Sequence, residues 1–221
     1  LERSLVIIKP DGTVRRTVSA LVLKALLDEG LRVVAFKEMK VSESVAKMHY
    51  AVHKEKPFFP WLVEFISSAP VLTMILESDN AIQRIRDALG ATFVQKAAPD
   101  SLRGKYGIWA GINIAHASDA PATAADEIKL WTTHGGIAKS ADAQKEAEKY
   151  IKKYISGGAD YTMALRRLVK ESIEHRNTSD EVTTELTALL AKDAAGIKTE
   201  HISSLAKAIF DFVVEEVENS E

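Results

Sequence analysis

Leu5-Val6-Ile7-Ile8-Lys9-Pro10-Asp11-Gly12 sets a short, β-branched apolar run directly against a turn signal. A run of that length stopped by Pro-Asp-Gly reads as a buried strand over Leu5–Lys9. Working outward, Val18–Glu29 carries apolar residues at helical spacing and closes at Gly30, and Leu31–Met39 returns to strand character. Ser42 with Val45, Ala46 and Met48 predicts a short helix, Phe58–Ile66 another, Val71–Glu77 a third strand, and Asn80–Leu89 a helix closed by Gly90. An irregular stretch, Ala91–Gly104, leads into Tyr106–Ala110, predicted as the fourth strand, and then to a helix over Thr123–Trp131. This order fits an α/β (α+β) class with a ferredoxin-like split βαβ core, a four-stranded antiparallel sheet with helices packed on it. A Rossmann arrangement fits less well, because no G-x-G-x-x-G follows a strand. The G-x-x-x-x-G-K-[ST] loop is missing too, so any phosphate must be held by side chains.

The pattern changes after Gly135-Gly136. Asp142–Ile155, Tyr161–His175, Glu181–Ala191 and His201–Glu218 read as helices, broken at Gly157-Gly158, Asn177 and Gly196. Thr178 and Glu181 have capping-box spacing, and Ala206, Ile209, Phe210, Val213 and Val217 give the last helix an apolar face. The expected division is therefore residues 1–137 as one domain and 138–221 as an all-helical extension serving packing or assembly.

At 221 residues and 46% hydrophobic, the chain can bury a full core. It has no cysteine, which excludes disulfides, Cys-based zinc sites and a thiol nucleophile and fits a reducing, cytoplasmic setting. No apolar run approaches a membrane span, and Glu2, Arg3, Lys9 and Asp11 near the start are unlike a signal peptide. Net charge is −2; residues 1–137 carry 17 Lys/Arg against 15 Asp/Glu, and the remainder 12 against 16. Neither part has the basic excess that nucleic-acid binding requires. A small phosphorylated ligand needs only a few focused cations and stays allowed.

Asn113-Ile114-Ala115-His116-Ala117-Ser118-Asp119 places one imidazole among short polar groups. By itself His116 reads as a nucleophile, a base or a turn residue. The other histidines, His49, His53, His134, His175 and His201, lack a metal-ligand spacing; His49 and His53 are four apart but have no evident third ligand. A structural or surface role is the default for these five. Lys9 ends the first strand, Arg86 shares a helix with Ile82, Ile85 and Leu89, Arg103 closes the long loop, and Thr92 offers a hydroxyl. Each alone reads as a surface charge or cap. Arginine can grip phosphate bidentately and lysine supplies a movable point charge, so their meaning depends on convergence with His116.

Over about residues 2–134 these pieces together resemble the nucleoside diphosphate kinases. The matching segments are Ile8-Lys9-Pro10-Asp11-Gly12, His49-Tyr50, Lys56-Pro57-Phe58-Phe59, Ser68-Ala69-Pro70-Val71, Arg86–Thr92, Ser101-Leu102-Arg103-Gly104, Asn113–Asp119, Glu127-Ile128 and Trp131. The resemblance implies that Nδ1 of His116 takes the γ-phosphoryl of ATP or another nucleoside triphosphate and passes it to a nucleoside diphosphate, a ping-pong exchange. It implies that Glu127 orients the ring, that Ser118 helps position Glu127, and that Lys9 acts on the transferring group. Lys9, Tyr50, Arg86, Thr92, Arg103 and Asn113 would surround phosphates and sugar, with Phe58 stacked on the base and Leu62 closing the slot. Mg²⁺ would arrive on the nucleotide phosphates without a protein metal site, and the chain would form a homo-oligomer built from dimers, with no membrane or nucleic-acid partner. A nucleotide-binding scaffold or regulatory protein with weak or no kinase activity is the alternative. Four departures from the family pattern stand out: Ala117 where glycine is usual, the recast loop Ala91–Asp100, Val14-Arg15-Arg16-Thr17 in place of an Arg-Gly pair, and Trp109 and Ile112 at usually polar positions.

Overall fold

In a computed structural model that describes residues 1–220, β1 (Glu2–Ile8), β2 (Arg32–Met39), β3 (Val71–Ser78) and β4 (Ala115–Ala117) form one antiparallel sheet ordered β2-β3-β1-β4. Central β1 is buried on both faces, which accounts for its unbroken apolar run. Val6 and Ile8 pack against α2 (Arg16–Asp28) and α5 (Ala81–Leu89). Leu5 and Ile7 point the other way, to a cluster with α3 (Glu43–His49), α4 (Phe59–Ser67) and α7 (Pro121–Thr133). The Pro10-Asp11-Gly12 turn is a single helical turn, α1 (Pro10–Thr13), with Pro10 at its start.

The fourth strand is not where the sequence placed it. Leu102–Tyr106 is helix α6, capped by Ser101, whose Oγ accepts Gly104 N–H at 3.1 Å. The chain then folds back in a tight reversal bridging Trp109 and Ile112, with Ala110 in the left-handed region at φ 45°. Ile108 and Ile112 are apolar because they are buried among the C-terminal helices, not because they join the sheet. The true edge strand is only three residues long and is centred on His116.

α8 (Ala143–Tyr154) stands apart from the later helices. It packs on β2 and α2 and adds Ala143, Ala147 and Tyr150 to the cluster under β1. The segment before it and its first turn run along the outer edge of β2: Ser140 N–H donates to Val34 O (3.1 Å), and Gln144 Oε1 accepts Val33 N–H (2.8 Å). α9 (Thr162–Glu174), α10 (Asp180–Ala191) and α11 (Thr199–Glu218) form a bundle whose Leu165, Leu186, Leu205 and Ile209 share a cluster with Phe65, Ile108 and Ile112. Thr178 does not cap α10. Ser179 takes that position without a side-chain cap bond, while Asn177 Oδ1 accepts from both N–H and hydroxyl of Ser179.

Three adjacent residues fasten the bundle to the sheet. Arg15 donates to Thr162 Oγ1 (2.8 Å) and Tyr106 O (2.7 Å). Arg16 donates to Ala195 O (2.9 Å), Glu38 Oε1 (2.5 Å) and the Tyr150 hydroxyl (3.0 Å), and its guanidinium lies over Tyr154. Thr17 N–H and hydroxyl both donate to Asp193. Two departures from the family pattern thereby find a physical reason: Arg15-Arg16-Thr17 and the apolar Trp109 and Ile112 are the surface on which the extra helices sit.

Candidate active site

β4 sets His116 opposite Ile7, so the imidazole lies beside the end of β1, where Lys9 follows. The segment leading into it is strained. Ile114, a β-branched residue, has φ 69°, and this conformation is held from both sides. Its N–H donates to buried Asp11 Oδ2 at 2.9 Å and its carbonyl accepts Lys9 N–H at 2.7 Å. Ala117, by contrast, is a strand residue and is not among those with positive φ. Its methyl therefore imposes no backbone cost where the family has glycine.

His116 Nε2 lies 2.5 Å from Glu127 Oε2. Burial, with Lys9 and Arg103 adding repulsion, drives the His116 pKa far below the ordinary imidazole value, so the ring is neutral at pH 7. A neutral ring donating from Nε2 keeps its lone pair on Nδ1, the nitrogen for which the described residues supply no hydrogen-bond partner. Burial also raises Glu127, opposed by His49 and reinforced by Asp119.

The cations are anchored around this ring. Lys9 Nζ donates to Gly111 O at 2.7 Å. Burial lowers its pKa to about 8, countered by Asp11 and furthered by Arg103. Arg103 spans Gly90 O (2.9 Å) and Ala115 O (2.8 Å), which fixes its fork directly behind β4. Its pKa falls to about 10 through burial and the neighbouring Arg86. Asn113 Nδ2 donates to Thr92 O at 2.7 Å, joining the long loop to the histidine segment. Tyr50 keeps its phenolic proton because burial, then Asp11 and Glu127, disfavour the phenolate.

A cleft of about 1040 Å³ takes in His116, Glu127, Lys9, Arg86, Arg103 and Asn113. Thr92, Tyr50, Phe58 and Leu62 line it as well. Phe58 is 42% exposed, with the His53 ring 5.5 Å away. Ser118 differs from expectation: fully buried, its Oγ accepts Leu5 N–H (3.1 Å), so it joins β4 to β1 and makes no bond to Glu127.

Two further sets of residues belong to the site. The sequence marks His49 only for a structural role, yet its ring stands 4.5 Å from that of His116, edge to face. Its Nδ1 accepts the indole N–H of Trp131 at 3.2 Å, and burial with the His116 contact lowers its pKa to about 3. The signal was present in the His49-Tyr50 pair of the matched pattern. His49, His116 and Glu127 offer ligand atoms within 4.8 Å of one another. A nitrogen-rich set suits Mg²⁺ poorly, and the cleft also holds the carboxylates of Asp119 and Asp126. The second set is Phe212, Glu215 and Glu216 of α11, which line the same cleft.

The family model for nucleoside diphosphate kinase matches residues 2–137. The chain belongs to the nucleoside diphosphate kinase family. It is 48% identical over 131 residues to a nucleoside diphosphate kinase of Mesorhizobium japonicum, a match covering 59% of this chain and 93% of that protein. An Archaeoglobus fulgidus nucleoside diphosphate kinase is 41% identical over 146 residues, covering 66% and 96%. Among solved structures, the Halobacterium salinarum nucleoside diphosphate kinase in complex with CDP superposes with a TM-score of 0.58 at 38% identity, covering 66% of this chain and 97% of that one. The Aquifex aeolicus enzyme gives 0.55 at 39%, covering 58% and 93%. The chain is thus an enzyme, a phosphotransferase of the nucleoside diphosphate kinase type, whose core carries additional C-terminal helices.

Proposed function

We propose that His116 Nδ1 attacks the γ-phosphorus of ATP or another nucleoside triphosphate. The bond from phosphorus to the bridging oxygen breaks, the electron pair leaves with the nucleoside diphosphate, and a phosphohistidine remains. A second nucleoside diphosphate enters the same cleft, and its terminal oxygen takes the phosphoryl group in the reverse of the first step. The carrying observation is the partly buried, neutral His116 held through Nε2 by Glu127, which makes the other nitrogen nucleophilic at neutral pH.

Lys9, Arg103 and the exposed Arg86 offset charge on the transferring group, and the burial of Lys9 and partial burial of Arg103 strengthen their contacts relative to water. Arg103 is pinned by two carbonyls, so little side-chain entropy is lost when it meets phosphate. Thr92 and Asn113 address phosphate and ribose, Tyr50 packs at the sugar end, and Phe58 with Leu62 takes the base. Ser118 serves by fixing β4 to β1. Mg²⁺ belongs to the substrate, carried on the phosphates.

Residues 1–137 form the catalytic unit and 138–221 a helical clamp upon it. A homo-oligomer built from dimers remains our reading of the assembly, with one restriction. The outer edge of β2 already meets Ser140 and Gln144 of the same chain, so copies must join by another surface. The cysteine-free composition is in keeping with work in a reducing cytoplasm.

The test is covalent. Nucleoside triphosphate labelled at the γ position should leave acid-labile, base-stable label on the wild-type chain, dischargeable by any added nucleoside diphosphate. His116→Ala should take up none. Label that persists in that variant refutes the assignment.

A further inference from the structure

The C-terminal helix reaches the cleft. α11 lies along α4, the helix that follows Phe58 and carries Leu62. Trp61 of α4 donates its indole N–H to Ala208 O (2.8 Å), stacks on Phe65, and tilts against Phe212 with ring centroids 5.3 Å apart. Lys207 adds a surface contact to Glu64. Glu215 and Glu216 follow Phe212 by three and four residues, so the three share one helix face, and all three line the cleft. Both carboxylates are half-buried, and neither takes a side-chain hydrogen bond or ion pair from the described residues.

Two carboxylates in a cleft for polyanions repel phosphate and suit a part of the ligand that presents donors. A nucleotide does so at its ribose hydroxyls and, differing from base to base, at its base edge. Guanine offers adjacent N1–H and N2–H groups, adenine and cytosine an amino group, whereas uracil and thymine flank a single N–H with carbonyls. Carboxylates are acceptors only, and bonds to an ionised acceptor are the stronger kind.

We propose that Glu215 and Glu216 are specificity-determining residues: the appended helix reads the base edge and favours nucleoside diphosphates whose bases carry amino groups over those of uracil and thymine. This rests on the reading of Phe58 and Leu62 as the base slot and of His116 as the phosphoryl carrier.

The experiment phosphorylates the chain with labelled ATP, then follows discharge by subsaturating GDP, ADP, CDP, UDP or thymidine diphosphate. The wild type should discharge to GDP about tenfold faster than to UDP, the factor one charge-assisted hydrogen bond supplies. Glu215→Ala/Glu216→Ala should bring that ratio toward one. The Gln/Gln variant keeps shape and adds donors, and should narrow the ratio by raising UDP. A ratio identical in wild type and both variants overturns the proposal while leaving phosphoryl exchange intact. A chain that never takes up label overturns the underlying reading and this proposal with it.

Discussion

Neutral imidazoles beside ammonium and guanidinium groups set the pH behaviour of the site. The His116 and His49 pKa values lie below the ordinary value near 6.5, so between those limits the unfolded chain binds more protons than the folded one. The contribution of these two histidines should therefore be fully present above about pH 6.5 and fall as pH drops below it, partly offset by Glu127, whose raised pKa of about 7 acts in the opposite sense. His49→Gln keeps an acceptor for Trp131 but removes one titrating group, so urea midpoints measured at pH 7 and pH 5 should differ less than in the wild type. Activity has a different alkaline limit. Lys9 loses its proton as pH rises through about 8, and with it the attraction for phosphate, so kcat/KM in the free enzyme should decline there. A pH profile in which Lys9→Met has the same alkaline limb would remove Lys9 from that account. Glu127→Gln should lower kcat by roughly 10- to 100-fold, the usual cost of losing a partner that orients a reactive histidine, with KM less affected. His49 shows why some of this was illegible: its partner Trp131 is 82 residues away, and nothing local marks a histidine that is to be packed against another ring.

Elements were legible where periodicity and punctuation agreed. Gly30 and Gly90 end α2 and α5 with φ of +79° and +81°, as their sequence positions suggested. Ser42 caps α3 by accepting Val45 N–H. Tyr106–Ala110 misled because an apolar run records burial without saying what covers it, and here the cover comes from helices after residue 160. Conversely, a three-residue strand around His116 is too short to leave a period-2 signature. The α4–α11 contact makes a prediction at this scale. Trp61→Phe removes the donor to Ala208 O while keeping an aromatic ring, and should cost about 1 kcal/mol of stability by urea denaturation. It should also raise KM for nucleotide more than it lowers kcat, since it loosens the wall opposite the base slot without touching His116. Leu186→Ala, in the centre of the bundle, should cost about 2–5 kcal/mol by the same measurement.

For the molecule as a whole, the sequence suggested a core with a separable appendage, because composition changes at Gly135-Gly136 and the later helices carry no chemistry of their own. Side-chain contacts tie the two more closely than composition implies. Tyr150 of α8 belongs to the cluster under β1, and Ile112 of the core belongs to the C-terminal bundle. The strongest polar tie is Arg16, whose side chain is 4% exposed and meets Glu38, Ala195 and Tyr150. If core and extension fold as one cooperative unit, two probes must report one transition. Tryptophan fluorescence follows Trp61, Trp109 and Trp131, which sit at the seam and in the sheet-face cluster, whereas far-UV circular dichroism weighs the long helices. The two curves should coincide in the wild type. Arg16→Met takes the charged donor from Glu38 and Ala195 O, which solvent can reach, and from the buried Tyr150 hydroxyl, and should lower both midpoints together, by about 1–2 kcal/mol. An early loss of helical signal with unchanged fluorescence would instead mean that the extension undocks alone, and α11 could not then serve as a fixed wall of the nucleotide cleft.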